Sequence, residues 1–202
     1  VDPGDTVNGG SNNAGASNAG GVVGLINMTS NATTSISGAT SSVVVNGGTN
    51  VGGVVGRSNT GTLTLTTSSG LVNGVSNVGG IAGRFYLGDF TASSSTSAVT
   101  ATGNTVGGLV GHLESGSAKL NTSSHTGGLV KGVSYVGGLI GQSEGQVGTT
   151  VLNNSPTYMT FVTSDVQASG DYVGGLIGNV SGGSVTNTSV TGSVTGLSGG
   201  YG

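Results

Sequence analysis

Seven carboxylates (Asp2, Asp5, Asp89, Glu114, Glu144, Asp165 and Asp171) and four cations (Arg57, Arg84, Lys119 and Lys131) are the charged inventory of this 202-residue chain. Acid–base cleavage of a glycosidic bond needs carboxylates gathered with Arg or Lys in a groove, to move protons and stabilise charge. One grouping approaches that pattern: Asp89, Glu114 and Glu144 follow Arg84, His112 and Gln142 at similar places in successive repeats. The spacing admits a carboxylate dyad, but an exposed polar ladder is the simpler meaning, so no catalytic residue is assigned. The two histidines, His112 and His125, sit in different parts of their repeat, whereas a metal site needs three or four converging ligands. Cysteine is absent, which removes thiolate sites and disulfides. The glycine-rich turns lack the aspartates of calcium-binding solenoids and the Gly-Lys-Ser/Thr of a phosphate loop. No metal and no cofactor is therefore expected.

Other residues suit contact rather than catalysis. Ser155-Pro156-Thr157-Tyr158-Met159-Thr160-Phe161 interrupts the pattern and gathers aromatic side chains. Tyr158, Met159 and Phe161 are candidate ligand or lateral contacts, with Phe85 and Tyr86 as a second pair. Asn27, Asn31, Asn121, Asn153, Asn179 and Asn187 each begin an Asn-x-Ser/Thr sequon, a candidate glycosylation site where the host modifies its surface proteins. The spaced threonines Thr62/Thr64/Thr66, Thr100/Thr102 and Thr186/Thr188 suggest an ice-binding array, but Ala118-Lys119-Leu120 and Thr150-Val151-Leu152 break it. With a net charge of −3 and scattered cations, nucleic-acid binding has no electrostatic footprint. No apolar run approaches the ~20 residues of a membrane-spanning helix.

The elements that would position these residues are set by a repeat. The phrase Val-Gly-Gly-aliphatic-aliphatic-Gly recurs at Val51 to Gly56, Val78 to Gly83, Val106 to Gly111, Val136 to Gly141 and Val173 to Gly178. A variant stands at Ala19 to Gly24 and a broken echo at Ser198 to Gly202. The first glycine of each pair falls at Gly20, Gly52, Gly79, Gly107, Gly137, Gly174 and Gly199. That is a period of about 25–37 residues, as a stacked solenoid has. One such unit cannot bury an apolar face alone, so the stack is the folding unit. Only 5% of residues are charged and 44 are glycine, while Ser, Thr and Asn supply the polarity, a composition for strands joined by tight turns.

The chain is therefore expected to be all-β, a parallel β-solenoid (β-helix) of about seven coils of about 25–37 residues each. Each phrase reads as one continuous strand buried on both faces, in preference to a turn at the glycine pair. A second stretch lies upstream (Val43-Val44-Val45, Leu71-Val72, Ala98-Val99, Leu129-Val130) and a third downstream (Thr62 to Thr66, Ala118 to Asn121, Ser184 to Asn187), so three short strands fill a coil. Residues 1–18 form an N-terminal segment or incomplete first coil, and 19–202 the repeats. Seven coils at the inter-strand spacing make a rod of about 30–35 Å.

The Val-Gly-Gly-Leu-Ile-Gly phrases ending at Gly141 and Gly178, and the stretch Gly183 to Gly196, resemble the GLUG repeat of large secreted and surface-attached bacterial proteins. The resemblance covers residues 19–202 and implies a stalk or scaffold rather than an enzyme. It leads to the expectation of a non-enzymatic structural component of an extracellular filament, sheath or adhesin stalk, at the cell surface or outside it. The chain opens at Val1 without a leader, which reads as a mature or excised segment. No cap is visible in the sequence, so copies are expected to self-associate head to tail. With Gly202 followed by Val1 of a second copy, the step from Gly199 to the next Gly20 is only slightly shorter than that from Gly174 to Gly199. The alternative is a carbohydrate- or receptor-binding adhesin module using the irregular coil around 153–165, with surface glycans as partners.

Overall fold

A computed structural model describes residues 6–8, 17–27, 34–148 and 160–196. Among them there is no helix; every regular element is a strand of two to four residues, and all pair in parallel into five sheets that wind as a β-solenoid of about six turns. One coil runs Val72–Gly74, Ser76–Gly79, Ala82–Phe85, Gly88–Thr91 and Ser94–Ser95, one strand for each sheet, before Val99–Ala101 returns to the first. We number the sheets first to fifth in that order. The first sheet has seven strands, because Thr6–Asn8 pairs with Val44–Asn46, and the others have six.

Five strands per coil, rather than three, is a correction with a local cause. The repeated phrase is not one strand: in Ser76 to Phe85 the chain bends at Gly80-Ile81, leaving Val78-Gly79 in the second sheet and Ala82-Gly83 in the third. The glycine pair makes a corner, and the aliphatic residue after it turns inward. The downstream stretch also splits, since Leu65, Ala92 and Thr122 at successive coils take φ of 52°, 50° and 49° and end the fourth sheet at each level.

The interior is built of in-register ladders. Val7, Val45, Val72, Val99, Val130, Val166 and Val194 stack up the first sheet. Ala19, Val51, Val78, Val106, Val136 and Val173 stack up the second. As expected, Leu109, Leu139 and Leu176 lie one coil apart: the Leu109 amide donates to Leu139 O (2.9 Å) and the Leu139 amide to Leu176 O (2.8 Å). The fifth sheet turns Ser41, Ser68, Ser95, His125 and Val162 inward toward the second glycine of each pair. A Cβ at Gly80 would lie 2.2 Å from Ser95 Oγ, and one at Gly108 2.2 Å from His125 Cδ2. Opposite walls approach too closely there for two side chains.

Before each Val-Gly pair the corner residue adopts the left-handed region, at Asn18, Asn50, Asn77, Thr105, Tyr135 and Tyr172, with φ between 50° and 69°. Asn tolerates this conformation and stacks on itself: Asn77 Nδ2 donates to Asn50 Oδ1 and Asn50 Nδ2 to Asn18 Oδ1, each at 2.9 Å. The tyrosine pair stacks with centroids 4.8 Å apart and planes 3° from parallel. Thr105, β-branched and strained at φ 66°, interrupts the column. Replacing it, Thr105→Asn, is expected to relieve strain and extend the amide ladder onto Asn77, a gain of about 1 kcal/mol and ~2–4 °C in melting temperature. An unchanged or lower melting temperature contradicts that account of the corner.

Candidate functional site

The outward positions of the third sheet bring the charged residues together. Along that sheet Leu25, Arg57, Arg84, His112, Gln142 and Asn179 are in register. One residue past the end of each strand, Asn27, Asn59, Tyr86, Glu114, Glu144 and Ser181 hold matching places in successive coils, because the preceding Ile26, Ser58, Phe85, Leu113, Ser143 and Val180 are paired in register. Arg84 engages Glu114 through both guanidinium nitrogens Nε and Nη2, and His112 Nε2 lies 3.6 Å from Glu144 Oε1. Asp89 does not join them. Tyr86 holds the register of Glu114, and Asp89 lies on the fourth sheet between Thr62 and Lys119.

Burial works to raise the Glu114 carboxyl, but the hydrogen-bonded charge of Arg84, with His112 and Arg57 beyond it, holds it below the ordinary carboxylate range. The His112 imidazole is lowered, chiefly by burial and secondarily by Arg84, against the pull of Glu114 and Glu144. The geometry therefore gives an ion-paired carboxylate beside a histidine whose protonation burial disfavours, a polar ladder. Among the described residues no three His, Asp or Glu side chains cluster as metal ligands.

His125 is the other titratable group of note, fully buried in the inward column of the fifth sheet. Its Nε2 lies 3.0 Å from the Gly128 carbonyl, so that nitrogen carries the proton and donates. Burial lowers its pKa below 6.5, opposed by backbone carbonyls. The folded state refuses a proton that the unfolded chain accepts. Stability is thus complete above about pH 6.5 and falls as pH drops below it, with His112 acting in the same direction and Glu114 adding a loss at lower pH. Urea denaturation at stepped pH is expected to show this decline. His125→Val, which copies Val162 one coil on, is expected to flatten it; an unaltered slope would place the acid sensitivity elsewhere.

The proposed contact residues separate. Phe85 faces the interior, edge-on to Phe90 with centroids 5.7 Å apart, and is removed from the contact set. With Arg84 outward, period-two alternation puts Phe85 inward. Tyr86 is 44% and Phe161 37% exposed, while Tyr158 and Met159 lie outside the described residues. Of the sequon asparagines, Asn27 and Asn187 are exposed, Asn121 and Asn179 are half-buried, and Asn31 and Asn153 fall outside the described residues. The partly exposed Tyr135–Tyr172 stack was not singled out from sequence, because Tyr at a left-handed corner is not a propensity signal. No described helix is long and apolar enough to cross a membrane.

This architecture defines a class, the parallel β-solenoid of glycine-cornered coils, and the GLUG motif matches residues 162–195, slightly more than one coil, since Val162 is in register with Val190. The chain thus carries a GLUG motif in its last described coils. It is 42% identical over 95 residues to halomucin of Haloquadratum walsbyi, a match that covers 47% of this chain and 1% of that protein's length. No solved structure matches it.

Proposed function

We propose that the chain is a non-enzymatic structural segment of a cell-surface or extracellular protein, its coils forming part of a longer stack. The observation that carries the reading is the state of the ladders at the two outer described coils. Inward columns that are closed through the middle coils are open in the last, where Val180, Val185, Val190 and Val194 are 40–49% exposed. Val22 is likewise open in the first. A further coil of the same repeat, bringing its own aliphatic ladder positions, covers such a surface and satisfies the strand edge beneath it. The outer faces, rich in Ser, Thr and Asn and poor in charge, suit a hydrated stalk or sheath, and the similarity to a protein called halomucin agrees with an extracellular setting. Antibodies against this solenoid are expected to label intact cells of the organism that makes it; labelling only after permeabilisation contradicts the proposal.

In its finer form the next coil comes from another copy, head to tail, giving an open filament. Light scattering should then show mass rising with concentration. A stable monomer at high concentration leaves the coils joined within one polypeptide and removes the filament.

A further inference from the structure

At the corner between the first and second sheets, Tyr135 and Tyr172 hold the same place in successive coils, each just before a Val-Gly pair of the second sheet. Their rings lie within 3° of parallel with centroids 4.8 Å apart, the spacing from one strand to the next. The backbone beneath them leaves little slack. The Tyr135 amide donates to Asp171 O and the Val136 amide to Tyr172 O, each at 3.0 Å, while the Gly170 amide donates to Val133 O at 2.8 Å and the Asp171 amide to Ser134 Oγ at 3.1 Å. The outer side of the stack is open, with Tyr172 56% exposed and Tyr135 half-buried. Two phenols from segments 37 residues apart are thus fixed against each other at the surface. Tyr86, the remaining described tyrosine, has Asn59 and Glu114 at its place in the adjoining coils.

We propose that Tyr135 and Tyr172 are a site of oxidative crosslinking, joined within one chain as dityrosine by hydrogen peroxide acting through a haem peroxidase. The oxidant removes one electron and one proton from each phenol. The two phenoxyl radicals carry spin on the ring carbons ortho to oxygen, and a bond forms between one Cε of each ring. Each of those carbons then releases its hydrogen as a proton while the phenolic oxygen regains one, which restores both aromatic rings. Two hydrogens leave in all, and one peroxide takes up the two electrons and two protons as two waters. Exposure of Tyr172 admits the oxidant and leaves the rings room to turn from parallel as the bond forms. Stacking makes the meeting of the radicals intramolecular, which raises its rate over coupling between chains. The product is a covalent staple across the junction of two coils, one that restricts the unfolded chain as any long-range crosslink does. It requires no contact between copies and so stands apart from the filament.

The test treats the intact chain at low concentration with hydrogen peroxide and a haem peroxidase, then reads dityrosine fluorescence and the masses of the monomer and of its peptides. The expected product is a monomer lighter by two hydrogens, with one crosslinked peptide pair joining Tyr135 to Tyr172 and a melting temperature raised by at least about 5 °C. Tyr135→Phe and Tyr172→Phe, which keep an aromatic ring but cannot form a phenoxyl radical there, should each cut the intrachain product at least about tenfold. Tyr86→Phe should leave it unchanged. No dityrosine under an exposure that couples free N-acetyltyrosine overturns the site, as do crosslinks found only between chains, or an intrachain product that persists in both Phe variants of the pair. An unchanged melting temperature in the coupled monomer would overturn the staple.

Discussion

Phe85→Ala is expected to cost about 3–5 kcal/mol, the loss for deleting a buried aromatic ring whose cavity cannot close. The ring is fully buried and meets Phe90 edge-on. In register with it are Ser58 on one coil and Leu113 on the next. Ser58 is too small to fill the space, and the backbone cannot settle, because ladder hydrogen bonds on both sides of the coil fix its height. Urea denaturation measures the effect; a loss below about 1 kcal/mol would mean that the ring is not in the interior.

Gly138→Val comes next in size. A Cβ at Gly138 would lie 2.2 Å from Gly175 O and 2.7 Å from Val162 Cγ1. The first of these is backbone of the neighbouring coil, which cannot yield without breaking the ladder, so the cost is expected at or above the top of the ~1–3 kcal/mol range for overpacking. Because each coil touches only its neighbours, the damage should concentrate at the junction between the coil of Gly138 and that of Gly175. Gly116 provides the contrast: it is exposed and a Cβ there meets only Glu144 O at 3.6 Å. Gly116→Ala should therefore stay within about 0.5 kcal/mol. Equal effects from both substitutions would show that space in the repeat does not decide which glycines are required.

What could be read from the sequence follows from these same residues. The period and the aliphatic ladders were legible because each ladder is one residue type returning at one place: Val72, Val99 and Val130 in one column, Leu109 and Leu139 in another. The corner at the glycine pair was not, since Gly80 turns the chain only because the wall carrying Ser95 presses against it, a contact with the far side of the coil that no local pattern records. The same proximity explains the inward serines Ser68 and Ser95, polar residues that sequence reading assigns to turns but that are small enough to face a glycine backbone. Of the charged band, Glu114 and Glu144 were placed together correctly. Asp89 was not, because Phe85-Tyr86-Leu87 occupies the register that the acids hold in later coils.

The measurement that tests the account most directly is amide hydrogen exchange, residue by residue, on the intact chain. If the coils act as one stack whose stability comes from nearest-neighbour ladders, the slowest amides are those of the middle coils, among them Val78, Ile81, Val106 and Leu109, which donate to Thr105, Leu109, Tyr135 and Leu139 of the following coil. Protection should fall coil by coil toward both ends, where the ladders are open. Fast exchange throughout, or protection confined to a single coil with its neighbours unprotected, would contradict the stacked solenoid as the working unit.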